Sequence, residues 1–137
     1  MKGWLKLVGV MAVLGSLVMF MAISVLAAEV EHVKPEELKR LLDSRDPSIV
    51  VVDTQPKAAY ELGHIQEAIN FPWAMEIKSP GGLPRDKTLV LYCDCTHEED
   101  STDLANQLMG KFRYKNIKIL EGGWLTWQQL GYPIDKK

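Results

Sequence analysis

The sequence predicts an α/β fold, a three-layer sandwich in which a central parallel sheet carries helices on both faces. Two runs of apolar, β-branched residues, Ile49–Asp53 and 88–93, are typical of strands that are buried on both sides. Segments with leucines at helical spacing alternate with these runs. Strands that alternate with helices of about ten residues favour parallel pairing, because each helix returns the chain to the same end of the sheet.

The first half of this domain is predicted to contain three strands and two helices. The stretch VEHV forms a short edge strand, and Pro35 fits the first turn of the helix that follows. Ile49–Asp53 is the first buried strand. The stretch KAAYELG forms a short helix that ends at Gly63, and AINFP forms a brief strand that stops at Pro72. The apolar face of the first helix consists of Leu38, Leu41 and Leu42.

The second half is predicted to add two strands and two helices after the loop SPGGLPRD. Residues 88–93, TLVLYC, form the second buried strand, and Ile117–Leu120 forms the third. A helix over residues 101–112 lies between them, and a closing helix, WLTWQQLG, ends at Gly131. The helix over residues 101–112 has one apolar face, made of Leu104, Leu108 and Phe112.

Residues 1–28 differ from the remainder of the chain. Lys2 and Lys6 are their only charges, and residues 7–28 are long enough to cross the ~30 Å hydrocarbon layer as a helix. They fit a signal peptide with cleavage after Val25-Leu26-Ala27, or an uncleaved membrane anchor. Both interpretations place residues 29–137 outside the cytoplasm, as a periplasmic, secreted or anchored domain. Membrane contact is then confined to residues 7–28, if these are retained.

Charge and cysteine content exclude two classes of protein. The net charge is −2, and without Lys2 and Lys6 it becomes −4, with no basic tract. Nucleic acid is therefore not an expected partner, because neutralising phosphates requires clustered lysine and arginine. Two cysteines are too few for a scaffold built on disulfides.

Both cysteines lie in the stretch LYCDCTHEEDS, where a predicted strand ends before a helix. Sites of open parallel sheets lie beyond the carboxyl ends of their strands, and unpartnered N–H groups at a helix start favour anions. We therefore expect a lowered cysteine pKa and a reactive sulfur, with Cys93 and Cys95 as candidate catalytic residues. The acidic side chains should repel anionic substrates. Candidate substrate-binding residues are Asp94, Thr96, His97, Glu98, Glu99, Asp100 and Ser101.

Three motifs resemble those of the single-domain rhodanese-like, sulfurtransferase-type family, over nearly all of residues 29–137. They are VVDTQPKAAYELGHIQEAINFPW, the cysteine loop and ILEGGWLTW. The resemblance implies a rhodanese-like sandwich and a cysteine that carries sulfur as a persulfide. A small donor such as thiosulfate would load it, and a thiol, another thiophilic acceptor or a partner protein would unload it. No cofactor or metal is implied. The matching positions include Asp53, Tyr60, Gly63, His64, Ile65, Ala68, Asn70, Phe71, Pro72, Ser101, Gly122, Gly123 and Trp127.

The chain departs from the family pattern in its cysteine spacing and its charges. The family spacing of Cys, five residues and Ser fits Cys95, whereas the position at the end of the strand fits Cys93. Glu98 and Asp100 replace the usual Gly and Arg if Cys95 is aligned, and Gln55 replaces another common Arg. These losses should weaken thiosulfate binding. Arg85 is the nearest basic residue that could compensate. The Cys-x5-Arg motif of phosphatase relatives is absent, which argues against phosphatase activity.

Two supporting residues and two alternative functions complete the prediction. We expect Asp53 to accept loop N–H groups and His64 to be structural, with its ring bonded to backbone. The Cys93/Cys95 pair could instead act as a thiol–disulfide relay, since Cα atoms two residues apart can fall within the ~4.4–6.8 Å disulfide range. A third function is a non-catalytic module that binds sulfur or, through Cys93, Cys95 and His97, a soft metal such as Cu(I) or Zn.

Overall fold

The computed structural model describes residues 29–137, and these form a five-stranded parallel sheet with helices on both faces. The predicted three-layer α/β sandwich is confirmed. The interpretation of residues 1–28 as a signal peptide or anchor lies outside the described residues. The elements are β1 (Glu31–Val33), α1 (Pro35–Asp43), β2 (Ile49–Asp53), α2 (Lys57–Leu62), β3 (His64–Ile65), β4 (Ile69–Asn70), β5 (Thr88–Tyr92), α3 (Glu99–Phe112), β6 (Ile117–Leu120), α4 (Gly123–Gln129) and β7 (Ile134–Asp135).

The sheet places the cysteine-bearing strand at its centre. The strand order is β1-β6-β5-β2-β4, and every neighbouring pair is parallel. Asp53, the last residue of β2, lies in register with Tyr92, the last residue of β5. Because the strands are parallel, both ends lie on the same edge of the sheet, and Cys93 follows there.

Each face of the sheet packs against its own helices. Leucines of α3 cover one face, and α1 and α4 cover the other. Successive residues of β2 and β5 alternate between the two cores, as the period of a strand requires. Full burial of one such apolar side chain contributes about 1.5–3 kcal/mol. The largest fully buried side chains include Trp127, Tyr92, Leu38, Leu104, Leu108 and Ile119.

Three details differ from the sequence prediction. Helix α3 begins at Glu99, two residues earlier than expected, so Asp100 lies inside its first turn. Strand β5 ends at Tyr92, which leaves Cys93 in the loop. An antiparallel ribbon of β3 and β7 was not predicted. Its two-residue strands show no periodicity, and their pairing joins residues about 70 positions apart.

None of the helices within residues 29–137 has the length and apolar character needed to cross a bilayer. The longest of them is α3, with 14 residues.

Candidate functional site

The cysteine loop lies at the carboxyl edge of the sheet, between β5 and α3. Cys93 and Cys95 form a disulfide, with their Cα atoms 5.3 Å apart. Cys93 is only 1% exposed, whereas Cys95 is partly exposed. A solute therefore reaches Cys95 before it reaches Cys93. The pairing that a thiol–disulfide relay requires is present in this conformation.

Ser101 places a hydroxyl group beside the inner sulfur. It lies in the first turn of α3 and is fully buried, with its Oγ 3.7 Å from Cys93 Sγ. The Oγ–H donates to the Glu98 carbonyl oxygen at 3.0 Å. A hydroxyl can rotate, so the same group can donate to a Cys93 thiolate when the disulfide is open.

Two backbone N–H groups at the start of α4 hold the loop. The Trp124 N–H donates to the Cys93 carbonyl oxygen at 3.0 Å, and the Gly122 N–H donates to Glu98 Oε1 at 2.6 Å. Gly123 has a φ of +50°, and a Cβ there would collide with the Cys93 carbonyl oxygen. The close approach of this turn to the loop thus requires glycine at position 123.

Several loop N–H groups have no partner in the part of the chain that the structure describes. They lie in the segment that leads into α3 and in its first turn, where the first amides of a helix lack intrahelical acceptors. The His97 N–H, in contrast, donates to Glu99 Oε2 at 3.1 Å. The free donors can stabilise a negatively charged sulfur at this loop. They belong to Asp94, Cys95, Thr96, Asp100 and Ser101.

Glu99 remains a carboxylate at neutral pH. Hydrogen bonds from its own N–H and from the His97 N–H hold the pKa of Glu99 below its usual range. The side chains of Asp94, Thr96, His97 and Glu99 are exposed. His97 Nδ1 lies 3.6 Å from Glu99 Oε1, so the imidazole sits beside a carboxylate. A dianionic donor therefore meets an acidic rim.

A buried carboxyl group lies directly beneath the loop. Asp53 is inaccessible to solvent; its Oδ1 accepts the Gln55 N–H at 2.7 Å, and its Oδ2 accepts the Tyr92 hydroxyl at 2.5 Å. The expectation that Asp53 accepts loop N–H groups is confirmed. Burial raises the pKa of Asp53, and the bonds from Tyr92 and Gln55 oppose this shift. Tyr92 in turn accepts the Ile65 N–H at 3.0 Å, which ties β5 to β3.

His64 has a structural role, as predicted. It is 3% exposed, its Nδ1 lies 2.7 Å from the Tyr60 carbonyl oxygen, and its ring stacks on the Tyr60 ring with centroids 3.7 Å apart. The ring is therefore bonded to backbone.

The prediction that Arg85 supports the site is wrong. Its Nη1 donates to the Phe112 carbonyl oxygen at 2.6 Å, and its guanidinium lies over the Tyr114 ring, 4.6 Å from the centroid. These contacts lie at the carboxyl end of α3, whereas the cysteine loop joins its amino end. Arg85 is near the cysteines in sequence but not in space.

A cleft of about 260 Å³ borders the loop at Asp94. Of the residues that line this cleft, the sequence analysis singled out Gln55, where the family has an arginine, but none of those near the C-terminus. The cleft therefore offers space for a small substrate beside Asp94 of the loop. Its lining residues are Gln55, Ala59, Leu62, Gly63, Asp94, Trp124, Gln128, Ile134 and Lys136.

Among residues 29–137, no three His, Cys, Asp or Glu side chains are arranged to hold a metal ion. The combination of Cys93, Cys95 and His97 therefore does not form a metal centre in this conformation.

Comparison with known proteins identifies the family. The chain is 29% identical to the HTH-type transcriptional regulator Rv0324 of Mycobacterium tuberculosis over 84% of its length, but spans only 49% of that protein. It is 25% identical to a thiosulfate:glutathione sulfurtransferase of Saccharomyces cerevisiae, covering 70% of this chain and 76% of the relative. A rhodanese-related protein of Thermoplasma volcanium superimposes with a TM-score of 0.63 at 21% identity, over 78% of this chain and 99% of that one. Residues 34–130 match the rhodanese-like domain family, to which the chain therefore belongs.

Proposed function

We propose that this domain is a sulfurtransferase that carries sulfane sulfur as a persulfide on Cys95, with Cys93 as the resolving thiol. One observation carries the assignment: Cys95 is the partly exposed member of a pair whose other sulfur is buried. Free N–H groups around the start of α3 support an anionic persulfide there.

The reaction proceeds in two displacements. The Cys95 thiolate attacks the outer sulfur of thiosulfate, a new S–S bond forms, and sulfite leaves with the electron pair of the broken bond. An acceptor thiolate then attacks the terminal sulfur and becomes a persulfide, and Cys95 returns as a thiolate. The similarity to a thiosulfate:glutathione sulfurtransferase supports a small thiol as the acceptor.

The acidic rim sets the preferred donor. Asp94 and Glu99 are exposed carboxylates, and Gln55 stands where the family has an arginine. A dianion such as thiosulfate is repelled more strongly than a monoanion such as a low-molecular-weight persulfide. The domain should therefore load more efficiently from a singly charged persulfide than from thiosulfate.

Intact mass spectrometry of the fully reduced protein tests this function. After treatment with thiosulfate or glutathione persulfide, the protein should gain one sulfur atom and lose it to cyanide. Cys93→Ser should still gain the sulfur, whereas Cys95→Ser should not. Equal loading of Cys95→Ser would contradict the assignment of the carrier.

The disulfide favours a second candidate, a thiol–disulfide relay. In this function the pair would oxidise a dithiol protein and become reduced itself. Mixing the oxidised protein with a reduced model dithiol and measuring the appearance of its disulfide tests the relay. A disulfide-exchange rate no faster than that of a small linear disulfide would rule it out.

We also propose that the domain works outside the cytoplasm. Disulfides persist in oxidising compartments, and the basic, apolar residues 1–28 fit an export signal. Cell fractionation and the intact mass of the native protein test this. A cytosolic location would contradict it, and the mass would separate a cleaved signal from a retained anchor.

A further inference from the structure

We propose that the disulfide form of the loop is itself a loading state, which takes hydrosulfide directly and stores it as a persulfide on Cys95. This activity rests on the proposed role of Cys95 as carrier. It differs from the proposed function in its sulfur donor, which is hydrosulfide, and in its starting form, which is the disulfide and not the reduced protein. The oxidant is the Cys93–Cys95 disulfide, which the structure contains.

The step balances without another reactant. Hydrosulfide attacks Cys95 Sγ, a bond forms between its sulfur and Cys95, and the Cys93–Cys95 bond breaks. Cys93 leaves with the electron pair as a thiolate, so the disulfide is reduced while the sulfide sulfur is oxidised to the sulfane level. The proton of hydrosulfide passes to the Cys93 thiolate. The products are a Cys95 persulfide anion and a Cys93 thiol.

Burial decides which sulfur is attacked. Displacement at sulfur requires the nucleophile, the attacked sulfur and the leaving sulfur to lie nearly in line. Cys93 is 1% exposed and Cys95 is partly exposed, so the leaving sulfur lies on the protein side and the attacked sulfur on the solvent side. Attack at Cys93 would require the nucleophile to enter the core.

The protein is also arranged to stabilise the leaving group. Ser101 Oγ lies 3.7 Å from Cys93 Sγ, in the first turn of α3, and its hydroxyl can turn towards a thiolate. A hydrogen bond to the charged form lowers the pKa of the departing thiol, and a thiol with a lower pKa leaves faster. Ser101 is thus a positioning and stabilising residue for this step.

The rim of the loop selects a small donor of low charge. Asp94 and Glu99 are exposed carboxylates of the loop that carries Cys95, and the cleft at Asp94 has a volume of about 260 Å³. Hydrosulfide is a monoanion in equilibrium with neutral hydrogen sulfide, so it experiences less repulsion than a thiosulfate dianion.

Anaerobic addition of sulfide to the oxidised, reductant-free full-length protein tests the proposal. Intact mass should increase by one hydrogen sulfide molecule, and peptide mapping after alkylation should place the extra sulfur on Cys95 and the alkyl group on Cys93. The reduced protein should gain nothing, because it contains no oxidant. Cys93→Ser and Cys95→Ser, which cannot form the internal disulfide, should also gain nothing.

Ser101 variants test the leaving-group argument. Ser101→Ala should slow loading by sulfide about tenfold or more, the effect of losing one hydrogen bond to a charged group. Ser101→Thr, which keeps the hydroxyl, should recover most of the rate. Equal loading rates for wild type and Ser101→Ala, with the disulfide intact in both, would show that Ser101 does not take part in the step.

The outcomes separate this inference from the proposed function. If thiosulfate or persulfide loads the reduced protein but sulfide adds nothing to the oxidised one, the inference alone is wrong. If sulfide loads the oxidised protein on Cys95 while the reduced protein accepts no sulfur, the inference stands and the transferase function fails. Sulfur found on Cys93 would overturn the assignment of the attacked atom.

Discussion

At the scale of single residues, Asp53 shows how the sheet prepares the site. It is the last residue of β2 and pairs with Tyr92, one residue before Cys93. Its carboxyl group accepts hydrogen bonds from Gln55 and Tyr92. It therefore joins the end of β2 to the strand that carries the cysteine loop, without reaching solvent.

Replacing Asp53 by Asn should change how stability depends on pH. Burial raises the folded-state pKa above the unfolded value of about 3.8. Between these two values the folded state holds a proton that the unfolded chain releases, so the free energy of unfolding falls as pH rises through the interval and is then constant. Asp53→Asn should lack this fall. Urea unfolding of both proteins from pH 3.5 to 8 measures it, and parallel curves would contradict the prediction.

Replacing Glu98 by Gln should loosen the loop. Glu98 Oε1 accepts the Gly122 N–H at 2.6 Å, and a neutral acceptor forms a weaker bond than a carboxylate. We expect a loss of about 1 kcal/mol in the free energy of unfolding. Asp94→Asn is the matched control, because it removes the same charge from an exposed side chain. Both variants should load thiosulfate faster, but only Glu98→Gln should lose stability in chemical denaturation. An equal loss in both would contradict the anchoring role.

Sequence reasoning located the reactive loop but not the contacts that hold it. Motif and strand position predict that the loop contains Cys93, Cys95 and Ser101. The bond between Glu98 and Gly122 joins residues 24 positions apart, and no local pattern encodes it. The prediction for Arg85 failed for the same reason, because contacts with Phe112 and Tyr114 determine where its side chain lies.

At the scale of elements, the turn that starts α4 supports the cysteine loop. Gly122 and Gly123 both have positive φ, and each has a neighbour that leaves no room for a Cβ: the Thr126 side chain for Gly122 and the Cys93 carbonyl for Gly123. The turn therefore packs directly on the backbone of the loop, which fixes where Cys93 lies relative to α4.

Gly123→Ala should destabilise the protein and displace the loop. An alanine in the left-handed region costs roughly 1–2 kcal/mol. Its Cβ would also collide with the Cys93 carbonyl oxygen, a backbone atom with little freedom to move. Thermal unfolding should show a loss of more than about 2 kcal/mol, and persulfide formation should slow. Gly110→Ala is the control, because it lies within α3 with no atom near its added Cβ. It should stabilise by about 0.5–1 kcal/mol. Equal effects of the two substitutions would contradict this account of the turn.

Periodicity and apolar runs predicted the longer elements. Strands β2 and β5 have five residues each, and leucine spacing reveals α1 and α3. The β3–β7 ribbon pairs residues about 70 positions apart and has two residues a strand. Its pairing is set by tertiary contacts, which a reading of single segments cannot supply.

At the scale of the whole molecule, the ribbon fastens the C-terminal segment across the domain. Ile134 pairs with Ile65, and the Asp135 carboxylate accepts the Glu67 N–H at 3.0 Å. The Pro133 carbonyl oxygen accepts the indole N–H of the buried Trp127 at 3.0 Å. The final residues thus close the core on the side of α4.

Deleting residues 133–137 should lower stability much more than deleting residues 136–137 alone. The longer deletion removes the ribbon and leaves the buried Trp127 N–H without its acceptor, at a cost of about 2–4 kcal/mol. The shorter one removes the bond from the Lys137 N–H to the Glu61 carbonyl oxygen. Denaturation followed by tryptophan fluorescence compares the two. Similar midpoints would show that the ribbon contributes little.

The two bonds that tie the cysteine loop to the start of α4 make this helix a remote reporter of sulfur chemistry. The Gly122 and Trp124 N–H groups both donate to residues of the loop, Glu98 and Cys93. Any rearrangement that accompanies opening of the disulfide changes the environment of these amides. Their NMR shifts and deuterium uptake can then follow loading and unloading in real time, with no label placed on the cysteines.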